Sequence, residues 1–137
     1  MNQTAGIYCV DDEVWITKAL LFLLNTKLRS TEYHIEAYND PVEAAEVVEE
    51  NTVHGVQPSV FIVDFQMPGM RGDEFVRKMK RNYPQSKIIM LSGNSNVLLV
   101  SELEEEGLMD YYISKPWSRD EFLDTLNKCL PLNLKFD

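Results

Sequence analysis

Ser59-Val60-Phe61-Ile62-Val63-Asp64 decides the fold. A short run of β-branched and aromatic residues, too short for a helix and with no polar alternation, reads as a strand buried on both faces. It breaks off at a carboxylate and is followed by a loop, Gln66-Met67-Pro68-Gly69-Met70. Working outward, the same pattern recurs. Gly6-Ile7-Tyr8-Cys9-Val10 runs into Asp11-Asp12-Glu13, and Lys87 to Leu91 runs into Ser92-Gly93. Buried strands separated by amphipathic stretches are the mark of a parallel sheet with helical crossovers.

The intervening stretches supply those helices. After the first strand, Ile16, Ala19, Leu20, Leu23, Leu24 and Leu28 recur at helical spacing. His34 to Tyr38 alternates as a short second strand, closed by Asn39-Asp40-Pro41. Pro41 suits the first turn of a second helix that buries Ala44, Ala45 and Val48. His54-Gly55 and Pro58 mark a loop before the third strand. Phe75, Val76 and Met79 lie on a third helix, and a fourth runs from about Ser95 to Glu106, with Gly107 as its stop. Asp110 to Ile113 is the fifth strand, ending near Lys115-Pro116. Ser118 caps a last helix with Phe122, Leu123, Leu126, Cys129 and Leu130 on its apolar face, and Pro131 ends it. The expected fold is α/β: a doubly wound (βα)5 unit with one five-stranded parallel sheet and right-handed crossovers. Residues 1–137 are expected to form a single domain, with a core over about 6–130 and 131–137 as a tail or the start of a linker.

Composition narrows the function. The 137 residues are 45% apolar, enough for a hydrophobic core. The net charge of −9 argues against nucleic-acid binding by this segment, because phosphate contacts need a basic footprint. No apolar run approaches the ~20 residues of a membrane helix, and Met1 to Thr4 does not open a secretory signal. Cys9 and Cys129 lack metal-type spacing and read as reduced thiols of a cytoplasmic protein.

Open α/β sheets bind ligands beyond the carboxyl ends of their strands, at the topological switch point. With strand order 2-1-3-4-5, Asp11, Asp12, Asp64, Ser92 and Lys115 converge there. The second strand, the expected edge, adds nothing comparable. Each residue has a plain alternative: Asp12 could cap the following helix, Asp64 open a turn, Ser92 bond its own loop, and Lys115 sit in solvent. Local turn chemistry does not explain all of them together. Clustered carboxylates repel. Lys115 offsets one charge and Mg²⁺, which prefers oxygen ligands and retains waters, offsets two more. Asp12 and Asp64 are assigned as direct ligands and Asp11 as a ligand through water, with the Gln66 backbone carbonyl completing the set. The constellation suits phosphoryl transfer, with a carboxylate oxygen of Asp64 attacking phosphorus to give an acyl phosphate. Mg²⁺, Lys115 and the Ser92 hydroxyl would meet charge on the phosphoryl oxygens, and Gly93 would leave room. Asp64 is expected to be ionised near neutral pH without a base, so His34 and His54 have no role.

The four stretches Val10-Asp11-Asp12-Glu13, Asp64 to Met70, Leu91-Ser92-Gly93 and Ser114-Lys115-Pro116, in this order at strand ends, resemble the receiver domain of bacterial two-component response regulators. The resemblance covers about Gly6 to Leu130 and implies a flavodoxin-like fold. It implies phosphorylation of Asp64 by a sensor histidine kinase or histidine phosphotransfer protein, Mg²⁺ held by Asp11 and Asp12, and phosphate contacts from Ser92 and Lys115. It further implies a cis Lys115-Pro116 bond and a switch in which Ser92 and Tyr112 reshape the face of the fourth helix, fifth strand and fifth helix. That face would control an output domain or protein. Gln66 and Asn94 would tune phosphoryl lifetime. The chain would be a signalling phosphoacceptor, not an enzyme acting on outside substrates, and homodimerisation through the switch face is left open. Two readings compete: an interaction module that is never phosphorylated, and a Mg²⁺-dependent phosphohydrolase. The latter needs a second acid near the nucleophile, where this chain has Gln66.

Overall fold

The central strand, β3 (Val56–Asp64), pairs in parallel with β1 (Thr4–Val10) on one side and β4 (Lys87–Ser92) on the other. Strand β2 (Tyr33–Tyr38) flanks β1, and β5 (Tyr111–Ser114) flanks β4. The computed structural model therefore has the sheet order β2-β1-β3-β4-β5, the expected flavodoxin-like arrangement. It describes residues 4–28, 32–65, 67, 71–93 and 97–130, without the side chains of 97–99. The Gln66 carbonyl, Asn94 and the 131–137 tail, including Pro131, lie outside the described residues.

Side chains alternate across each strand, so every strand feeds two cores. On one face Tyr8, Phe61, Val63 and Met90 pack against α2 (Pro41–Val53) and α3 (Gly72–Asn82). Phe61 stacks on Tyr8 at 5.7 Å between centroids and meets Phe75 edge-on at 5.8 Å. On the other face Cys9, Ile62, Leu91 and Ile113 pack against α1 (Val14–Lys27) and α5 (Arg119–Cys129). Helices on both faces explain why the strands are apolar without alternation. The remaining helix, α4 (Val97–Glu105), buries Leu103. It ends where the Leu108 N–H reaches back to the Leu103 carbonyl at 2.9 Å and Gly107 takes φ +72°, the backbone that only glycine adopts freely. Residues 94–96 are outside the described set, which leaves the expected start at Ser95 unaddressed.

Two local expectations, for Pro58 and Ala19, and the plain alternative for Asp12 differ from the structure. Pro58 lies inside β3, not in a loop, and the turn is confined to His54-Gly55. The register of β1 against β3 shifts between Gly6 and Ile7, so that Gly6 faces Pro58 and Ile7 faces Val60. That bulge accommodates a residue with no N–H to donate. Asp12 does not cap α1. The N-cap residue is Glu13, without a side-chain cap bond, and the Glu13 N–H donates instead to Asp11 Oδ1 at 2.9 Å. Ala19 does not join the buried face; it is exposed beside Trp15 (81% exposed) and Phe22 (72%).

Ser118 does cap α5, its Oγ accepting the Glu121 N–H at 3.0 Å. Ser118→Ala is expected to cost about 1 kcal/mol, read as a lower urea midpoint with unchanged slope. No helix among the described residues is long and apolar enough to cross a membrane.

Candidate functional site

The parallel register brings the ends of β1 and β3 side by side, Val10 facing Val63, so Asp11 and Asp64 leave the sheet together. Asp12 follows on the same loop. Carboxylate oxygens of Asp11, Asp12 and Asp64 lie within 4.8 Å of one another. Asp11 and Asp64 are buried, whereas Asp12 is exposed to the cleft mouth.

Lys115 enters from the loop after β5. Its backbone N–H donates to the Ser92 carbonyl at 2.8 Å, which ties that loop to the end of β4. Its ammonium Nζ donates to Asp11 Oδ2 at 2.9 Å and lies 3.3 Å from Asp64 Oδ1 and 3.5 Å from Glu13 Oε1. With a side chain 13% exposed, it is no solvated surface lysine. The Lys115-Pro116 peptide is cis. Ser92 is buried at the end of β4, in register with Ser114. A Cβ on Gly93 would meet only the Lys115 stem, at 3.9 Å. Tyr112 is half-buried, opposite Met90 in the sheet.

Charge in this cleft is unbalanced. Burial, followed by the adjacent Asp11 charge, pushes the Asp64 carboxyl up to about 7; a hydrogen bond with Asp12 adds to the rise and Lys115 opposes it. Burial also raises Asp11, against the Glu13 N–H and Lys115. For Lys115 burial pulls downward, but the bond and charge of Asp11 and those of Asp64 outweigh it, so the ammonium is held more firmly than usual. Without a cation, Asp64 is therefore not fully ionised near neutral pH, contrary to the expectation from sequence. When all three carboxylates are ionised, one ammonium leaves two negative charges among oxygen donors only. That donor set fits a hard divalent cation such as Mg²⁺.

Two residues escape a reading of the sequence alone. Asn39, just past β2, donates from Nδ2 to the Asp11 carbonyl at 2.8 Å and to Thr17 Oγ1 at 3.0 Å. The Tyr38 carbonyl accepts the Asp11 N–H at 3.1 Å. The second strand thus does contribute to the site, through bonds to a loop that no local pattern reveals. Gly72 opens α3 directly against β3. An added Cβ would lie 2.2 Å from the Asp64 carbonyl oxygen and 2.8 Å from Phe65 Cα. A glycine ahead of Asp73-Glu74 at a helix start is the available signal.

Comparison with known proteins agrees with this geometry. The family model for the response regulator receiver domain matches residues 7–127. The chain is 26% identical over 132 residues to sporulation initiation phosphotransferase F of Bacillus subtilis (strain 168), covering 96% of this chain and 97% of that protein. It is 27% identical over 130 residues to the hydrogenase transcriptional regulatory protein HoxA of Cupriavidus necator, covering 94% of this chain but 25% of that protein. Among solved structures, Vibrio cholerae chemotaxis protein CheY4 superimposes with a TM-score of 0.76 at 26% identity, covering 93% of this chain and 99% of that one.

Proposed function

Because the chain belongs to the response regulator receiver domain family, we propose that it is a phosphoacceptor whose Asp64 takes a phosphoryl group from a phosphohistidine on a sensor kinase or histidine phosphotransfer protein. The observation that carries this reading is the buried Asp64 carboxylate, 3.3 Å from Lys115 and grouped with Asp11 and Asp12 at the strand ends. An Asp64 oxygen forms the bond to phosphorus as the P–N bond to the donor imidazole breaks, giving an acyl phosphate. The Lys115 ammonium would meet the transferred oxygens, a role supported by its bond to Asp11 beside Asp64. Asp12 and Asp64 would ligate Mg²⁺ directly and Asp11 through water, with the Gln66 carbonyl as a further ligand. The cation, when bound, neutralises charge on the phosphoryl group and holds Asp64 ionised.

The output follows from the same frame. The Ser92 hydroxyl would hold the bound phosphate, Tyr112 would turn inward behind it, and the α4–β5–α5 face would change toward an output domain or protein. This is a population shift driven by contacts made only in the phosphorylated state. On the input side, exposed Trp15 and Phe22 form an apolar strip on α1. A groove lined by Trp15, Ala19, Lys115 and Trp117 joins that strip to the cleft. Contiguous exposed apolar surface marks an interaction site, and this one suits the partner that carries the phosphohistidine. The domain would work in the cytoplasm, without contacting nucleic acid or membrane itself, and would catalyse only its own phosphorylation and dephosphorylation.

Incubation with Mg²⁺ and acetyl phosphate, followed by intact-mass measurement, tests the proposal. The expected result is a single phosphoryl adduct, labile to hydroxylamine and absent from Asp64→Asn. An adduct that survives Asp64→Asn, or none under any condition, would overturn it; sustained turnover of a phosphomonoester would favour a hydrolase.

A further inference from the structure

Asp11 is held at every polar atom. Its Oδ1 accepts the Glu13 N–H, its Oδ2 accepts from Lys115, and its N–H donates to the Tyr38 carbonyl. Its own carbonyl accepts from Asn39. The first three ties come from within the cleft or from the backbone of the neighbouring strand. The fourth is the odd one: Asn39 is exposed, yet its amide turns inward to two buried acceptors, Asp11 O and Thr17 Oγ1. Thr17 Oγ1 in turn donates to the Val14 carbonyl at 3.0 Å, in the first turn of α1. The two N–H groups of one amide thus tie the start of the loop that carries Asp12 to the first turn of α1. An exposed residue needs no such bonds for its own burial. Few side chains could replace it, because two donors on so short a stem are found only in asparagine.

We propose that Asn39 is a positioning residue, clamping the β1–α1 loop so that Asp11 and Asp12 face Asp64 at the spacing a divalent cation requires. The inference rests on the receiver reading for the cation itself. The clamp acts through two neutral acceptors, the Asp11 carbonyl and the Thr17 hydroxyl, and not through charge. Outer-shell partners of this kind commonly set metal affinity by about ten- to a hundredfold, and the lower end is apt for an exposed group.

The sign of one substitution separates clamping from simple electrostatics. Asn39→Asp keeps the shape, removes both donors and adds a negative charge. Coulomb attraction alone would tighten a cation; loss of the clamp loosens it. Mg²⁺ is titrated into the parent, Asn39→Ala and Asn39→Asp, following the amide NMR resonances of Asp12 and Glu13, with melting temperatures taken in EDTA as the fold control. The expected result is a roughly tenfold weaker Mg²⁺ affinity in both variants, together with shifted Asp12 and Glu13 resonances before any metal is added. Unchanged affinity in both variants, or tighter binding by Asn39→Asp, overturns the clamp while leaving the receiver reading intact. A parent protein whose resonances ignore Mg²⁺ overturns both.

Discussion

Gly72→Ala is expected to destabilise the protein by about 3 kcal/mol, at the upper end of what overpacking costs. The reason is the hardness of what the new methyl would meet. The nearest atoms are the Asp64 carbonyl oxygen at 2.2 Å and the Phe65 backbone, not the yielding end of a side chain. Relief requires α3 to move away from β3, which opens the contact of Phe75 with Phe61 and breaks the bond from the Gly72 N–H to the Phe65 carbonyl at 2.9 Å. Since the displaced backbone is that of Asp64 itself, the same variant is expected to lose most phosphorylation even where it remains folded. Urea unfolding gives the first effect and intact mass after acetyl phosphate the second. Gly93→Ala serves as the control for the stability measurement alone, because its Cβ meets only Lys115 at an ordinary 3.9 Å. Equal stability of Gly72→Ala and the parent would refute the close approach.

Asp64→Asn is expected to stabilise the metal-free protein while removing its phosphoacceptor. In the folded chain Asp64 is raised from 3.8 to about 7, chiefly by burial and then by Asp11. A carboxyl with a raised pKa binds its proton more tightly in the folded state. Between its ordinary and its raised pKa, stability therefore falls as pH rises, and the penalty is complete above the raised value. Asparagine carries no charge and escapes the penalty. After discounting for solvent at the cleft mouth and for coupling to Asp11, the gain above neutral pH is about 2 kcal/mol. It should shrink as pH falls from about 7 and vanish below 3.8, where Asp64 becomes protonated in both states. Mg²⁺ should narrow the gap, since it stabilises whichever form binds it more tightly, the parent. Melting temperatures in EDTA and in Mg²⁺, taken across this pH range, test each part. A variant less stable than the parent at every pH in EDTA would contradict the assigned electrostatics.

Both effects bear on how far the chain is legible without coordinates. Strand ends and their chemistry are legible. Asp11, Asp12, Asp64, Ser92 and Lys115 each mark an abrupt polar stop to an apolar run, and that contrast is local. The family motifs add the expected order of strands, which the sheet has. Illegible features are those created by one backbone pressing on another. Pro58 reads as a loop residue, yet a bulge opposite Gly6 absorbs it into β3. Ala19 fits a buried helical stripe by spacing, but the sheet selects a narrower stripe and leaves Ala19 outside with Trp15 and Phe22. Asp64 reads as a free carboxylate, because burial is not a property of one residue.

By itself, then, the sequence determined that apolar runs become strands covered on both faces and that polar residues stand at their ends. Hydrophobic patterning acts over a few neighbouring residues and survives any change of surroundings. Tertiary structure alone decided which of those ends share a cleft at bonding distance. It also set how far Asp64 resists ionisation, and it brought Asn39 to a loop 28 residues earlier in the chain. Those outcomes depend on dehydration and on distances of a few ångströms between residues remote in sequence. Such distances exist only once the β1–β3 register and the helix crossovers have been set.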